Sequence, residues 1–245
     1  MYRGLSIIAI APVFNEESRV GKVVHRTPRA FVDEVLVVDD GSTDSSAVVA
    51  RDFGATVLPM GRTVGVGAAI RAGFKYALKK GYDVAVVMAG NNKDSPEEIP
   101  ILVDPIVEGR ADFVQGSRFL GGKRDFGPMP AYRQVATRFH PILFSLVARR
   151  RVTESTNGFR AIRAAVLSDQ RLRLDQEWLD EYELEPYLYL RVIKLGYRIA
   201  EVPVTKVYPP KSEGQTKMKP ITGWWSMLRP LVRVALHADR PRKSR

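Results

Sequence analysis

The chain of 245 residues contains no cysteine. That absence excludes a disulfide scaffold, a thiolate metal site and a cysteine nucleophile. Histidine is almost as scarce. His25, His140 and His237 are too widely spaced to suggest a histidine-rich metal cage. No run of about 18 apolar residues occurs, so no segment reads as a membrane span. The opening Met1-Tyr2-Arg3-Gly4 leads straight into an apolar strand pattern. It lacks the basic, apolar and small-residue regions of a signal peptide. Internal repeats and low-complexity stretches are missing too.

What is present is globular in character, with 45% hydrophobic and 27% charged residues. The length fits one large α/β domain. Thirty-eight Lys and Arg against 27 Asp and Glu leave a net charge of +11. Such a balance points to anionic partners: nucleic acid, anionic lipid headgroups or phosphate-bearing small molecules. Composition alone does not choose among them.

Apolar runs at 5–13, 35–38, 56–60, 84–88 and 112–115 read as strands. Helical spacing fills 18–26, 45–53, 65–80 and 96–108 between them. Alternation of this kind predicts a mostly parallel sheet with helices on both faces. Ligands of such sheets bind beyond the carboxyl ends of the strands. The second half is less regular. A Gly- and Pro-rich loop at 119–130 precedes a helix at 132–149, whose middle Pro141 disturbs. A short strand at 156–162, a helix at 182–195 and a strand at 197–207 follow. A polar loop then leads to an apolar, Arg-interleaved segment at 221–237 and a basic tail.

The segments at the strand ends carry a family resemblance. Pro12-Val13-Phe14-Asn15-Glu16, followed by Val37-Val38-Asp39-Asp40-Gly41-Ser42-Thr43-Asp44, resembles the family 2 glycosyltransferases of the GT-A fold. Gly116-Ser117-Arg118-Phe119 with Gly121-Gly122 is similar to the dolichyl-phosphate mannose synthase branch. So are Thr156-Asn157-Gly158-Phe159-Arg160, the stretch from Leu195 to Val204, and Gln215-Thr216-Lys217-Met218. The fold expected is α/β: a Rossmann-like, mostly parallel sheet flanked by helices. A glycosyltransferase domain would span 1–220, and an amphipathic helix with a basic tail 221–245.

The resemblance implies transfer of a hexose from a nucleotide-diphosphate sugar, of the GDP-mannose or UDP-glucose type, to a polyprenyl phosphate with inversion. A phosphate acceptor is already anionic at neutral pH, so the reaction needs no strong base. By the same resemblance Pro12, Phe14, Asn15 and Glu16 line the nucleotide pocket. Asp40 reads base or ribose, with Asp39, Gly41 and Ser42 beside it. A carboxylate accepting from N–H or O–H groups is the physical reason. Asp44 is better explained as a helix cap. Arg118, Arg133 and Lys217 match positions for phosphate contact, and guanidinium forks suit phosphate. Gly65-Val66-Gly67 lacks the last glycine of a dinucleotide fingerprint and is better read as tight packing of a helix start. The acidic run of Glu177, Asp180, Glu181, Glu183 and Glu185 reads as a solvated helix start, with Asp180 or Glu183 the alternative base.

One segment departs from the family. Where it carries Asp-x-Asp for a divalent metal, Mg²⁺ or Mn²⁺, this chain has Ala89 and Asn91, followed by Lys93 and Asp94. Alanine cannot ligate, and neutral Asn is a poor substitute for a carboxylate around a hard cation. Three readings stay open: metal independence with the Lys93 ammonium replacing the ion, a shifted metal site at Asp94, or a non-catalytic nucleotide-sugar binder. A non-prenyl acceptor is a further alternative. The segment Trp224, Trp225, Met227, Leu228, Leu231, Val232 and Leu236, interleaved with Arg229 and Arg233, resembles an interfacial helix with Arg facing headgroups. Docking of that helix on the core is the alternative. The expected location is cytoplasmic and peripheral to the membrane. No aromatic-basic motif supports a nucleic-acid partner.

Overall fold

The computed structural model describes residues 1–121, 127–209 and 222–236. Seven strands form one sheet: β1 (Ile7–Val13), β2 (Glu34–Asp39), β3 (Thr56–Pro59), β4 (Val84–Val87), β5 (Phe113–Ser117), β6 (Arg160–Arg163) and β7 (Ile199–Pro203). Their order is β3-β2-β1-β4-β6-β5-β7. Ala9 of β1 pairs with Val35 of β2 on one side and Val86 of β4 on the other, both in parallel. Only β6 runs against its neighbours, with Ile162 opposite Ala85 of β4 and Phe113 of β5. It is shorter than the strand expected at 156–162, because residues 154–159 turn to meet the end of β5.

The helices are α1 (Glu17–Arg26), α2 (Ser46–Asp52), α3 (Val66–Lys80), α4 (Ile99–Val107), α5 (Ala131–Ala148), α6 (Ala164–Leu167), α7 (Leu184–Lys194) and α8 (Thr222–Ala235). Two apolar layers explain the unbroken hydrophobic run of β1. Ile7, Ala9, Ala11 and Val13 face α1 and α4, while Ile8 and Ile10 face α3, with α5, α7 and α8 continuing that layer. Side chains alternate across a strand, so a strand covered on both sides must be apolar throughout. Each fully buried Ile there contributes about 1.5–3 kcal/mol relative to exposure. In the second layer the rings of Phe113, Tyr189 and Phe144 stack at 4.9 and 5.0 Å, tying β5 to α7 and α5.

Three prolines sit inside helices among the described residues, the first being Pro105 in α4. Pro141 lies within α5 and Pro230 within α8. Each removes one backbone donor without breaking its helix, and both are buried. α8 packs on α5 and α7 through Met227, Leu231 and Val234. His140 of α5 fastens it further, with Nε2 at 3.1 Å from the Met227 carbonyl and Nδ1 at 2.7 Å from the Ser155 hydroxyl. A carbonyl only accepts, so Nε2 carries the proton and Nδ1 accepts from Ser155. The tail at 237–245 lies outside the described residues.

Candidate active site

A cavity of about 710 Å³ opens beyond the carboxyl ends of β1, β2 and β4. This is where a doubly wound sheet exposes strand ends between diverging helices. Pro12, Phe14, Asn15 and Glu16 after β1, Asp40 after β2, and Ala89, Asn91 and Lys93 after β4 line one side. The other side comes from the second half of the chain: Arg133, Glu181, Tyr182, Glu185, Lys206 and Tyr208.

Backbone hydrogen bonds lock the first wall. The amide of Asn15 donates to the Ser42 hydroxyl at 3.0 Å, and that of Thr43 to Asn15 Oδ1 at 2.8 Å. Asp39 accepts from the Ser42 amide at 3.0 Å. Gly41 lies at φ +73°, and a Cβ there would come within 2.5 Å of the backbone of Arg62 and Thr63. Only glycine fits such a turn. Asp39, Gly41 and Ser42 therefore stand behind the lining and shape it. Asp40 reaches the cavity, yet its carboxylate also accepts the amides of Val64 (2.8 Å) and Gly65 (2.9 Å) at the start of α3. Negative charge is favoured at that helix end, and each oxygen keeps a lone pair for a ligand. Asp44 serves two helices, accepting from Glu17 N at 3.2 Å and Ser46 N at 2.9 Å.

The wall beyond β4 is cationic. Lys93 is only 7% exposed. Burial first, then the charges of Lys206 and Arg133, push its ammonium down to about 7, with Glu16 acting the other way. Its Nζ lies 5.2 Å from the centre of the Tyr208 ring, and the Arg133 guanidinium lies 5.6 Å from that same ring. Lys206 enters through an antiparallel bridge to Asp94, reinforced by Val207 N donating to the Lys93 carbonyl at 2.9 Å. Sequence reasoning missed Lys206 and Tyr208. Both fall in a span expected to continue the last strand or enter a loop, whereas β7 stops at Pro203 and the chain crosses to β4. The only available signal was the basic and aromatic pair itself.

Arg118 does not line the cavity. Its Nε donates to Glu154 at 2.6 Å, with further bonds to Thr156 Oγ1 at 2.5 Å and the Tyr208 hydroxyl at 3.2 Å. The pair with Glu154 is fully enclosed and raises the guanidinium's pKa despite burial. Two sequence motifs meet here, because Asn157 Nδ2 donates to the Gly116 carbonyl at 3.0 Å and Gln115 Nε2 to the Asn157 carbonyl at 2.8 Å. Arg118 thus holds Tyr208, which in turn carries Lys93 and Arg133. Lys217 lies outside the described residues, as does Gly122.

Of the acidic run, Glu181 and Glu185 face the cavity. Asp180 and Glu183, the residues weighed as bases, pair instead with Arg71 and Arg229. Burial, then Glu183 and Asp40, raise the pKa of Glu181. Gly65 and Gly67 are explained by packing. A Cβ on Gly67 would collide with the backbone of Leu179 to Glu181, and Ala68 N donates to the Asp180 carbonyl at 3.0 Å.

The residues present do not fit a divalent cation. The Ala89 side chain offers no ligand atom, and Asn91 Oδ1 accepts from Lys93 N at 3.3 Å. Asp94, the shifted candidate, is 2% exposed. Its two oxygens accept from Ala89 N at 2.9 Å and Lys206 Nζ at 2.5 Å. Among the described residues no group of three His, Cys, Asp or Glu side chains converges as a metal site.

Residues 8–170 match the family described as Glycosyl transferase family 2. The undecaprenyl-phosphate mannosyltransferase of Micrococcus luteus is 31% identical over 220 residues, covering 87% of this chain and 88% of that protein. The dolichyl-phosphate hexose transferase of Haloferax volcanii is 30% identical over 236 residues, 94% of each chain. Among solved structures, glucosyl-3-phosphoglycerate synthase from M. tuberculosis superposes with a TM-score of 0.71 at 21% identity, covering 98% of this chain and 83% of its own. That likeness carries the fold alone, and the fold is the expected GT-A-like arrangement. Taken with the strand-end motifs gathered around one cavity, the match over most of its length shows that this chain belongs to glycosyl transferase family 2.

Proposed function

We propose that the chain is an inverting hexosyltransferase that takes its sugar from a nucleotide diphosphate and delivers it to a polyprenyl phosphate. The donor is of the GDP-mannose or UDP-glucose type. The names of the relatives from Micrococcus luteus and Haloferax volcanii support a lipid-phosphate acceptor. The observation that carries the reading is a single cavity that joins the strand-end turns to a group of cations. Pro12, Phe14, Asn15, Glu16 and Asp40 hold the nucleoside, over the frame built by Asp39, Gly41 and Ser42. Lys93, Lys206 and Arg133 meet the phosphates, with Asn91 beside them. Asp94 anchors Lys206, and Arg118 positions Tyr208. Lys217 is assigned to phosphate contact on sequence grounds.

An oxygen of the acceptor phosphate attacks the anomeric carbon from the face opposite the diphosphate. The new carbon–oxygen bond forms as the bond to the diphosphate breaks, and that electron pair stays on the diphosphate oxygen. Attack from the opposite face inverts the centre. No proton needs to move, because the attacking oxygen is already anionic. Fixed cations aimed at the diphosphate stabilise its developing charge.

A surface beside the cavity suits a lipid-borne acceptor. Tyr132, Val135, Phe139, Ile142 and Leu146 repeat along α5 at helical spacing and are 45–70% exposed. The run spans about 20 Å at 1.5 Å per residue. It starts beside Arg133, which lines the cavity, and exposed Arg138, Arg149, Arg150 and Arg151 flank it. Trp225 and Val232 on α8, and Leu236 just after it, add exposed apolar area. Arg229 and Arg233 lie over the Trp178 ring at 5.4 and 4.4 Å. We therefore assign the peripheral membrane face chiefly to α5. No helix among the described residues is long and apolar enough to cross a membrane.

The test incubates the protein with labelled GDP-mannose or UDP-glucose and either polyprenyl phosphate in vesicles or soluble phosphorylated acceptors. The proposal expects label in the organic phase. Label passing only to soluble acceptors would contradict it.

A further inference from the structure

We infer that this transferase handles the donor diphosphate without a divalent cation, the ion's place being taken by Lys93, Lys206 and Arg133 around Tyr208. The inference deepens the proposed function and rests on its assignment of a nucleotide-diphosphate donor. Three observations carry it independently of any bound group.

The first is ligand chemistry. A hard cation needs several oxygen ligands, at least one of them ionised, on the diphosphate-facing side. The end of β4 supplies Ala89, Gly90 and Asn91 to the cavity lining, and Asp94, the carboxylate of that segment, is not among the lining residues. The second is the fate of Asp94. Its carboxylate is turned away from the cavity lining and committed on both oxygens, to the Ala89 amide and the Lys206 ammonium. Lys206 Nζ also donates to Asn157 Oδ1 at 3.0 Å, so the lysine is held from two sides. A metal recruiting Asp94 would have to displace a buried ion pair and leave an ammonium without its carboxylate, which is costly.

The third is the charge that replaces the ion. Lys206 pairs with Asp94, Lys93 and Arg133 bring two further basic side chains to the Tyr208 ring, and Arg19 pairs with Glu16 at 2.8 Å. Lys93, Arg133 and Lys206 come from three separate elements: the loop after β4, the start of α5 and the segment after β7. The backbone bridge from Asp94 to Lys206 fixes the segment after β7 to the loop that carries Lys93, and the Tyr208 ring lies against both Lys93 and Arg133. Tyr208 is itself held by Arg118, as described above. The group is thus built in advance, with little reorganisation needed when the diphosphate arrives.

The experiment measures binding of UDP and GDP to the full chain by titration calorimetry, in EDTA and then with added Mn²⁺ or Mg²⁺. For whichever nucleotide binds, the expected dissociation constant in EDTA lies within about twofold of that with metal. Lys93→Ala should raise it about tenfold or more without lowering the melting temperature, and Lys93→Arg should recover most of the loss. Binding that vanishes in EDTA and returns with Mn²⁺ would overturn the inference, and so would no binding under any condition. The wild-type comparison decides even if the variants fail to fold. Failure of the proposed function reads differently. Metal-insensitive nucleotide binding without sugar transfer counts against the function alone, whereas transfer that requires Mn²⁺ counts against this inference alone.

Discussion

Raising the pH should weaken donor binding in a way set by Lys93. In the free site this ammonium titrates at about 7, lowered first by burial and then by Lys206 and Arg133, with Glu16 opposing and Arg19 adding to the lowering. A diphosphate brings negative charge against it. One unit charge at about 4 Å, with an effective dielectric constant of about 20, is worth about 4 kcal/mol. That corresponds to about three pKa units. The complex therefore keeps Lys93 protonated to about pH 10, and binding between the two values takes up a proton. Affinity scales with the protonated fraction of the free site. That fraction falls from about one half at pH 7 to about 3% at pH 8.5, a loss of about fifteenfold. Stability of the free protein runs the opposite way. Lys93 ionises lower in the fold than its ordinary 10.5, so its penalty is largest below about 7 and disappears as pH rises towards 10.5. The assay is calorimetry with an intact nucleotide sugar, whose diphosphate carries no titrating proton in this range. Two buffers of different ionisation enthalpy report the proton count. Equal affinity at both pH values, with no proton taken up, would refute the reasoning. Lys93→Met should bind weakly at pH 7 and lose the pH dependence.

Other consequences can be measured separately. Arg118→Ala leaves Glu154 buried and unpaired and should cost about 3–5 kcal/mol in urea unfolding. Loss below about 0.5 kcal/mol would mean the pair is not the anchor described. Val135→Glu with Leu146→Glu on the exposed stripe of α5 should reduce binding to anionic vesicles severalfold while leaving the melting temperature within a few degrees. Unchanged vesicle binding would remove α5 from the membrane face. His140 is held neutral, its pKa lowered mainly by burial. Its contribution is present above the ordinary histidine pKa of about 6.5 and is lost as pH falls below it. Melting temperature should therefore drop on acidification more steeply in the parent than in His140→Gln.

Legibility in the sequence followed the range of the interactions involved. Strands β1, β2 and β4 were readable because both faces are covered, which forces continuous apolar runs. The nucleotide wall was readable because turns at strand ends need particular residues at particular spacing, Gly41 at positive φ above all. β6 was poorly readable: a four-residue strand beginning at Arg160 owes its antiparallel place to partners on both sides. Arg118 shows the limit for charged residues. Phosphate contact and a buried bond to Glu154 call for the same side chain, and only the fold decides which partner is near. The same holds for Arg229 and Arg233, which lie over Trp178, and for Asp94, whose carboxylate was claimed by a lysine 112 positions away.

The most direct test of the account is the fate of the lipid phosphate. Polyprenyl phosphate in vesicles is incubated with protein, EDTA and a nucleotide sugar, and the extracted lipid is examined by mass spectrometry and phosphorus NMR. The account predicts a gain of one hexose, conversion of the lipid phosphomonoester to a phosphodiester, and an anomeric configuration opposite to the donor's. Unmodified lipid phosphate with every donor, or a sugar gained with retained configuration, would contradict it.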